Sequence, residues 1–439
     1  MLRRNRLVAL AVCVVMSVAV SFAQAARQPS GPVLSISTDR PDAIYQKGET
    51  VTFTVQLTDQ GKPVPEAEVA CELSTDLFAN SEKKALAISD GKAEVQASRD
   101  EPCILWLRAT YRPAEGKPVQ SVGGAAFSPT EIQPSMPAPD DFDQFWDPQK
   151  KRVDAIPPNA QLTPMETDVP NSEFYSITMD NVDGTKIHGY FTKPKGDGPF
   201  PALLQVQWAG VYSLDPNWIK WLPSQGIMAL DINAHDIENG KPKSYYDELN
   251  SGTLKDYTHQ GRDSRDTCYF LRMYLSCYQA AEYLAHRPDW DKKHLIVEGS
   301  SQGGGQTLIT AALDPHITAA AANVPAMCDH TAPVVGRAPG WPWLVGMKDG
   351  KPDPTQLQVA RYFDAVNFAR EIHVPIIVGT GFADTTCCSS SVYAAFNVIP
   401  SSDKKMIIDP LAGHGGPNPL YGKAYTEFLA EQTGTKAPQ

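Results

Sequence analysis

Between Pro32 and Phe127 apolar and polar residues alternate in short runs, at Val33–Ser37, Val51–Leu57, Ala67–Leu73, Lys92–Ala97 and Cys103–Tyr111. A period of two sends every second side chain to one face, so each run predicts a strand with one buried side. Turn formers punctuate the runs, as in Gln60-Gly61-Lys62-Pro63 and Asp90-Gly91. Strands at this spacing predict a small all-β sandwich over residues 30–128, immunoglobulin-like in architecture. No cluster of titratable or metal-ligating residues falls in it, which favours a spacer or docking module over a carbohydrate-binding one.

A joint over residues 129–139 follows, with Pro129, Pro134, Pro137 and Pro139, and predicts a stiff, extended linker. Beyond it the period changes. Phe174–Asp180 and Lys186–Thr192, joined across Asp183-Gly184, predict a hairpin. Apolar strand candidates then recur at Ala202–Trp208, Ile227–Ile232, His294–Glu298, Ile317–Ala322, Pro375–Gly379 and Lys405–Asp409. Helical stretches separate most of them, most clearly Cys268–His286, where Phe270, Met273, Cys277, Ala281 and Leu284 form one stripe. The alternation predicts an α/β domain over residues 140–439, a mostly parallel sheet between helical layers with its site in loops at the strands' carboxyl ends.

The first residues add a compartment. Arg3, Arg4 and Arg6 precede an apolar run from Leu7 to Phe22 and then Ala23-Gln24-Ala25, a pattern that predicts a signal peptide over residues 1–25. The mature protein is therefore expected to be exported, periplasmic or extracellular. Paired arginines leave the export route open, and Val12 before Cys13 disfavours lipidation. No later stretch approaches the roughly 20 apolar residues of a spanning helix, so no membrane span is expected. A net charge of -11 disfavours nucleic acid as a partner, because its binders carry a basic face.

Cleavage removes Cys13 and leaves seven of eight cysteines, an odd number for an oxidising compartment. Cys71 and Cys103, on separate strand-like segments, are the candidate structural disulfide. Cys268 and Cys277 lie nine apart on a predicted helix, roughly 13 Å along its axis, too far to bond. For Cys387 and Cys388 a disulfide with each other, a bond from either to Cys328, and free thiols in a packed loop all stay open.

Candidate chemistry centres on Gly299-Ser300-Ser301-Gln302-Gly303, which follows the strand His294–Glu298 directly and runs on into Gly304 and Gly305. A serine on a tight strand-to-helix turn needs glycines around it, since a side chain there meets neighbouring backbone. Ser301 is the candidate nucleophile; the plainer reading is a glycine-rich turn in a nucleotide-binding or structural crossover. A serine hydroxyl needs a base and an acid to orient the base. Asp384 follows the strand Pro375–Gly379, and His414 follows Lys405–Asp409 with Gly413 and Gly415 beside it. Asp384 as a mere cap for a helix starting near Ser389, and His414 as a surface histidine, are the plainer alternatives. Asp409 and Asp403 are competing acids. Chain order, strand-end position and glycine flanks favour the set Ser301, Asp384 and His414.

A developing oxyanion needs two N–H donors. Gln302 supplies one, and the loop Ala209-Gly210-Val211-Tyr212 the other, with Val211 preferred. Trp208 and Tyr212 in that loop, and Trp341 and Trp343 in the long loop His330–Asp353, are candidate substrate-binding aromatics. No metal-ligand spacing occurs and no cofactor is required.

Several stretches resemble the acetyl xylan esterase and cephalosporin-C deacetylase family, carbohydrate esterase family seven. They are Asp141-Phe142-Asp143-Gln144-Phe145-Trp146, Tyr269-Phe270-Leu271-Arg272-Met273-Tyr274, the elbow itself, Asn323-Val324-Pro325-Ala326-Met327-Cys328-Asp329, and Tyr362 to Ala369, followed by Asp384, Ser390 to Asn397 and His414-Gly415. The resemblance spans Pro139 to Leu429. It implies an α/β-hydrolase that removes acetyl groups from saccharides, with Ser301, Asp384 and His414 as triad and Gln302 in the oxyanion hole. It also implies ring-like homo-oligomers, which an added N-terminal sandwich would obstruct or alter. The chain departs from the family in two places. Asp231-Ile232-Asn233-Ala234-His235-Asp236 stands where the family has Asp-x-Arg-Gly-Gln-Gly, and Cys387-Cys388-Ser389 stands near its Pro-Pro-Ser step. Two rival readings are a prolyl-oligopeptidase-like serine peptidase, disfavoured by the single small sandwich, and a non-catalytic carbohydrate-binding protein, disfavoured by the unbroken triad set.

Overall fold

Along the strand Thr50–Asp59 the residues Val51, Phe53, Val55 and Leu57 are buried and those between them are less so, the alternation read from the sequence. The structure, a computed structural model, describes residues 31–415 and 418–435. The expected signal peptide, residues 1–25, lies outside them.

The N-terminal region is all-β, with strands at Pro32–Thr38, Thr50–Asp59, Glu66–Ser74, Lys92–Ser98 and Cys103–Tyr111 where alternation predicts them. Two more, Glu82–Ser89 and Val119–Phe127, complete it. Both carry weak signals: the first opens on exposed Glu82-Lys83-Lys84, and Gly123-Gly124 interrupts the second. With the two-residue strands Ile44–Tyr45 and Lys62–Pro63, all of them pair into one curled, nine-stranded sheet, a path of eight strands with Lys62–Pro63 branching from Thr50–Asp59. Strand pairing joins its two flanks only at a tight hairpin, Ser89 opposite Lys92, and the flanks close around a shared core of Phe53, Leu57, Leu105 and Leu107.

The disulfide expected between Cys71 and Cys103 does not form: both are buried free thiols. Register is the reason. Cys71 lies opposite Ala109, while Cys103 lies at the other end of that strand opposite Phe127, roughly 20 Å away at strand spacing.

A second nine-stranded sheet carries the rest of the chain. From edge to edge its order is Gln161–Pro164, Ser172–Asp180, Lys186–Pro194, Met228–Ile232, Phe200–Val206, Trp290–Ser300, Ala319–Asn323, Ile376–Gly381 and Lys404–Asp409. The early strands pair antiparallel, and every pairing from Met228–Ile232 to Lys404–Asp409 is parallel. Leu295 and Val297 enter one core with the helices Tyr269–Ala285 and Gln302–Leu313. Ile296 enters the opposite one with Tyr421 and Phe428 of Pro419–Thr433. Helices therefore cover both faces, as the alternation of strands and helices predicts.

The curled sheet is docked on this domain. Ile104, Trp106 and Ala126 share the α/β domain's core cluster, and a Cβ at Gly124 would lie 2.2 Å from the Phe382 carbonyl oxygen. The proline-rich joint is also pinned down. Asn397 Nδ2 donates to the carbonyls of Pro129 and Ile132 at 2.9 Å, and Arg361 donates to those of Pro137 and Ala138 at 3.0 Å. Among the described residues no helix is long and apolar enough to cross a membrane.

Candidate active site

The strand Trp290–Ser300 leads directly into Ser301, whose backbone (φ 58°, ψ −120°) lies outside the regions most side chains adopt. Such strain costs about 1–3 kcal/mol and persists only where surroundings enforce it. Glycines make room for it here. A Cβ at Gly299 would sit 2.5 Å from Gly303 backbone, and one at Gly303 would sit 2.3 Å from the Val206 carbonyl oxygen. The backbone of Ser301 is tied to the next strand, its N–H donating to Asn323 at 3.0 Å and its carbonyl accepting from Ala326 at 2.9 Å.

From this turn Ser301 Oγ lies 2.9 Å from His414 Nε2, and His414 Nδ1 lies 2.8 Å from Asp384 Oδ2. Asp384 is fully buried, and its Oδ1 accepts from the N–H groups of Thr386 at 2.8 Å and Cys387 at 2.9 Å. Both loops are locked together, since Ala383 N–H donates to the Ala412 carbonyl at 3.1 Å and a Cβ at Gly381 would lie 2.3 Å from that same oxygen. Competing acids Asp409 and Asp403 make no bond to His414; Asp409 accepts instead from Leu411 N–H.

Ser301 and His414 open on a cavity of about 370 Å³, also lined by Trp208, Ala209, Asn323 and Asn418. Gln302 begins the helix Gln302–Leu313, so its N–H is among those a helix leaves without an intrahelical acceptor. Val211 does not line the cavity; it packs against the core, and Ala209 stands at the wall instead. Of the four candidate aromatics, Trp208 alone borders the cavity. Tyr212 lies tilted beside it, ring centroids 5.9 Å apart, and Trp341 is fixed through its main chain to Thr386 and Met327. Trp343 is half exposed on the surface.

Cys328, Cys387 and Cys388 are buried free thiols, so the packed-loop reading describes them. Cys387 Sγ is 4.0 Å from Ser301 Oγ, and burial pushes its thiol well above the ordinary range. It stays protonated beside the serine and is no rival nucleophile.

A profile of the family described as acetyl xylan esterase (AXE1) matches residues 130–432. The chain belongs to the acetyl xylan esterase family. It is 29% identical over 380 residues to the acetyl esterase Axe7A of Xylanibacter ruminicola, an alignment covering 85% of this chain and 84% of that one. The acetyl xylan esterase of Paenibacillus sp. R4 superposes with a TM-score of 0.60 at 25% identity, over 69% of this chain and 98% of its own. Acetyl xylan esterase 1 of Thermoanaerobacterium sp. JW/SL YS485 shares the fold, with a TM-score of 0.59 at 24% identity, over 69% and 97%. The protein is thus a carbohydrate acetylesterase with the α/β-hydrolase fold.

Residues that sequence reasoning missed hold the loop after Phe200–Val206 against the elbow. Tyr257 donates to Gln302 Oε1 at 2.7 Å and accepts from Gly210 N–H at 3.3 Å. His235 Nε2 lies 3.1 Å from the Gly210 carbonyl and Nδ1 lies 2.7 Å from the Tyr269 hydroxyl. Burial, with Arg272 nearby, lowers the pKa of His235 to about 3, so it is neutral and donates from Nε2. Tyr257 lies in a loop without periodicity and gives no signal. His235 gives one, as a departure from the family motif. In that motif Asn233 takes the arginine's place and donates to the Tyr212 carbonyl at 3.1 Å. Asp231 is fully buried with neither carboxylate oxygen bonded, and desolvation raises its carboxyl well above the ordinary range.

Proposed function

We propose that the protein is an exported serine carboxylesterase that removes O-acetyl groups from acetylated xylan or xylo-oligosaccharides through an acetyl-enzyme. Ser301 Oγ attacks the acetyl carbonyl while His414 Nε2 takes its proton. Asp384 fixes the imidazole through Nδ1–H and steadies the charge that forms on it. The oxyanion is held by the Gln302 N–H and by an N–H of the loop after Phe200–Val206, where Ala209 is better placed than Val211. His414 then protonates the departing sugar oxygen, and water repeats the sequence on the acetyl-enzyme. Residues 30–128 act as a docked immunoglobulin-like module ahead of the esterase domain.

The observation that carries this reading is the unbroken chain Ser301 to His414 to Asp384, at 2.9 and 2.8 Å, at the wall of a cavity of about 370 Å³. Export rests on the leader pattern of residues 1–25. The test is acetate release from acetylated xylo-oligosaccharides, run beside release of a proline-linked chromophore. Acetate release should fall by about 10⁴-fold or more in Ser301→Ala. Chromophore release without acetate release would replace the esterase by a peptidase.

A further inference from the structure

A second cavity of about 400 Å³ adjoins the catalytic one and shares Trp208, Ser300 and Asn323 with it. Trp208 is the partition: one side faces Ser301, and on the other its ring lies 4.2 Å from that of Trp218. Trp221 extends this aromatic wall, tied by its indole N–H to the Trp218 carbonyl at 3.0 Å. Trp208 and Trp221 stay 41% and 38% exposed, large aromatic surface that folding leaves open to solvent.

The floor is polar. Gln205 and Glu298 are register partners on neighbouring parallel strands, so they present an amide and a carboxyl side by side. Asn217 stands at the rim, exposed, its Nδ2 held by Asp215 at 2.9 Å so that its carbonyl oxygen is fixed in orientation. The Glu298 carboxyl is pushed up to about 7 by desolvation, which lets it donate as well as accept near neutrality. Flat aromatic faces with a few convergent hydrogen-bonding groups suit a ring that is apolar on its faces and hydroxylated on its rim, and suit an anionic or purely apolar ligand poorly.

We propose that the cavity walled by Trp208, Trp218 and Trp221 and floored by Gln205 and Glu298 is a saccharide subsite, which holds a neighbouring pyranose unit of the substrate chain while Ser301 acts on the acetyl group next door. This rests on the esterase reading above. Its continuity with the catalytic cavity through Trp208 commits it to the substrate's own glycan chain.

The experiment separates the two readings. Xylotetraose, which carries no acetyl group, is titrated calorimetrically into the Ser301→Ala protein with and without Trp221→Ala. The expected result is measurable binding, weakened about five- to tenfold by Trp221→Ala and largely restored by Trp221→Phe. Asn217→Ala, at an exposed position, should weaken it in the same sense, which guards against a tryptophan variant that merely misfolds. On the catalytic side Trp221→Ala should raise KM for acetylated xylo-oligosaccharides by a similar factor and leave kcat near its parent value. Binding that both variants leave unchanged, or no xylotetraose binding at all, overturns the subsite. Absence of acetate release by the unaltered protein, with xylotetraose still bound, overturns the function and leaves the subsite standing.

Discussion

The two sheets solve the same burial problem and end with different chemistry. In the curled sheet every long pairing is antiparallel and no helix separates successive strands, even where Thr50–Asp59 pairs Lys92–Ser98 and Glu66–Ser74 pairs Cys103–Tyr111 across the fold. In the catalytic sheet the parallel pairings require long crossovers, and the loops that follow those strands gather at one end. Ser301, Asp384 and His414 all sit there, each just past a strand. A hairpin turn is too short to carry a catalytic loop, whereas a crossover has length to spare. The first sheet contributes position: Gly124 lies against the carbonyl of Phe382, two residues before Asp384.

The comparison breaks most sharply at the acid. Asp384→Asn should leave the fold intact and lower kcat on 4-nitrophenyl acetate by about 10³–10⁴-fold, because the amide cannot hold His414 in the productive tautomer. Steady-state kinetics beside circular dichroism checks this.

Next comes the docking contact. Gly124→Val places a side chain where even a Cβ meets backbone at 2.2 Å, so the sheets must part locally. A loss of about 2–3 kcal/mol in chemical denaturation is expected. A fall in kcat/KM with it would show that docking sets the Asp384 loop, and unchanged kinetics would reduce the first sheet to a passenger.

A smaller effect concerns pH. Folding raises the Glu298 carboxyl from 4.5 to about 7. Between those values the unfolded chain has released this proton and the folded chain retains it, so this group's contribution to stability falls as pH rises and levels off above about 7. Glu298→Gln should flatten that part of a Tm-against-pH curve, and a curve of unchanged slope would refute the raised value.

Least of all is Gly422→Ala, in the helix Pro419–Thr433 with nothing within 4 Å of the new Cβ. It should stabilise by about 0.5–1 kcal/mol in thermal unfolding without touching activity.

Sequence by itself determined the order of eight of the nine strands of the catalytic sheet, because their apolar runs are marked; the edge strand Gln161–Pro164, exposed along its length, carries no such run. It also determined the candidate triad, because Gly299, Gly303 and the glycines around His414 mark turns that only small residues permit. Tertiary structure decided what depends on register and on contacts between distant segments. Cys71 and Cys103 read as partners until strand pairing set them far apart. Trp341 and Trp343 read as sugar-facing until the fold turned them from the cavity, while Trp218 and Trp221, unremarked in sequence, came to wall the space beside Trp208. Tyr257 reaches the elbow, and His235 the Gly210 loop beside it, only because the chain returns there. Local patterns encode which face of an element is buried; which elements meet is settled by packing across the whole chain.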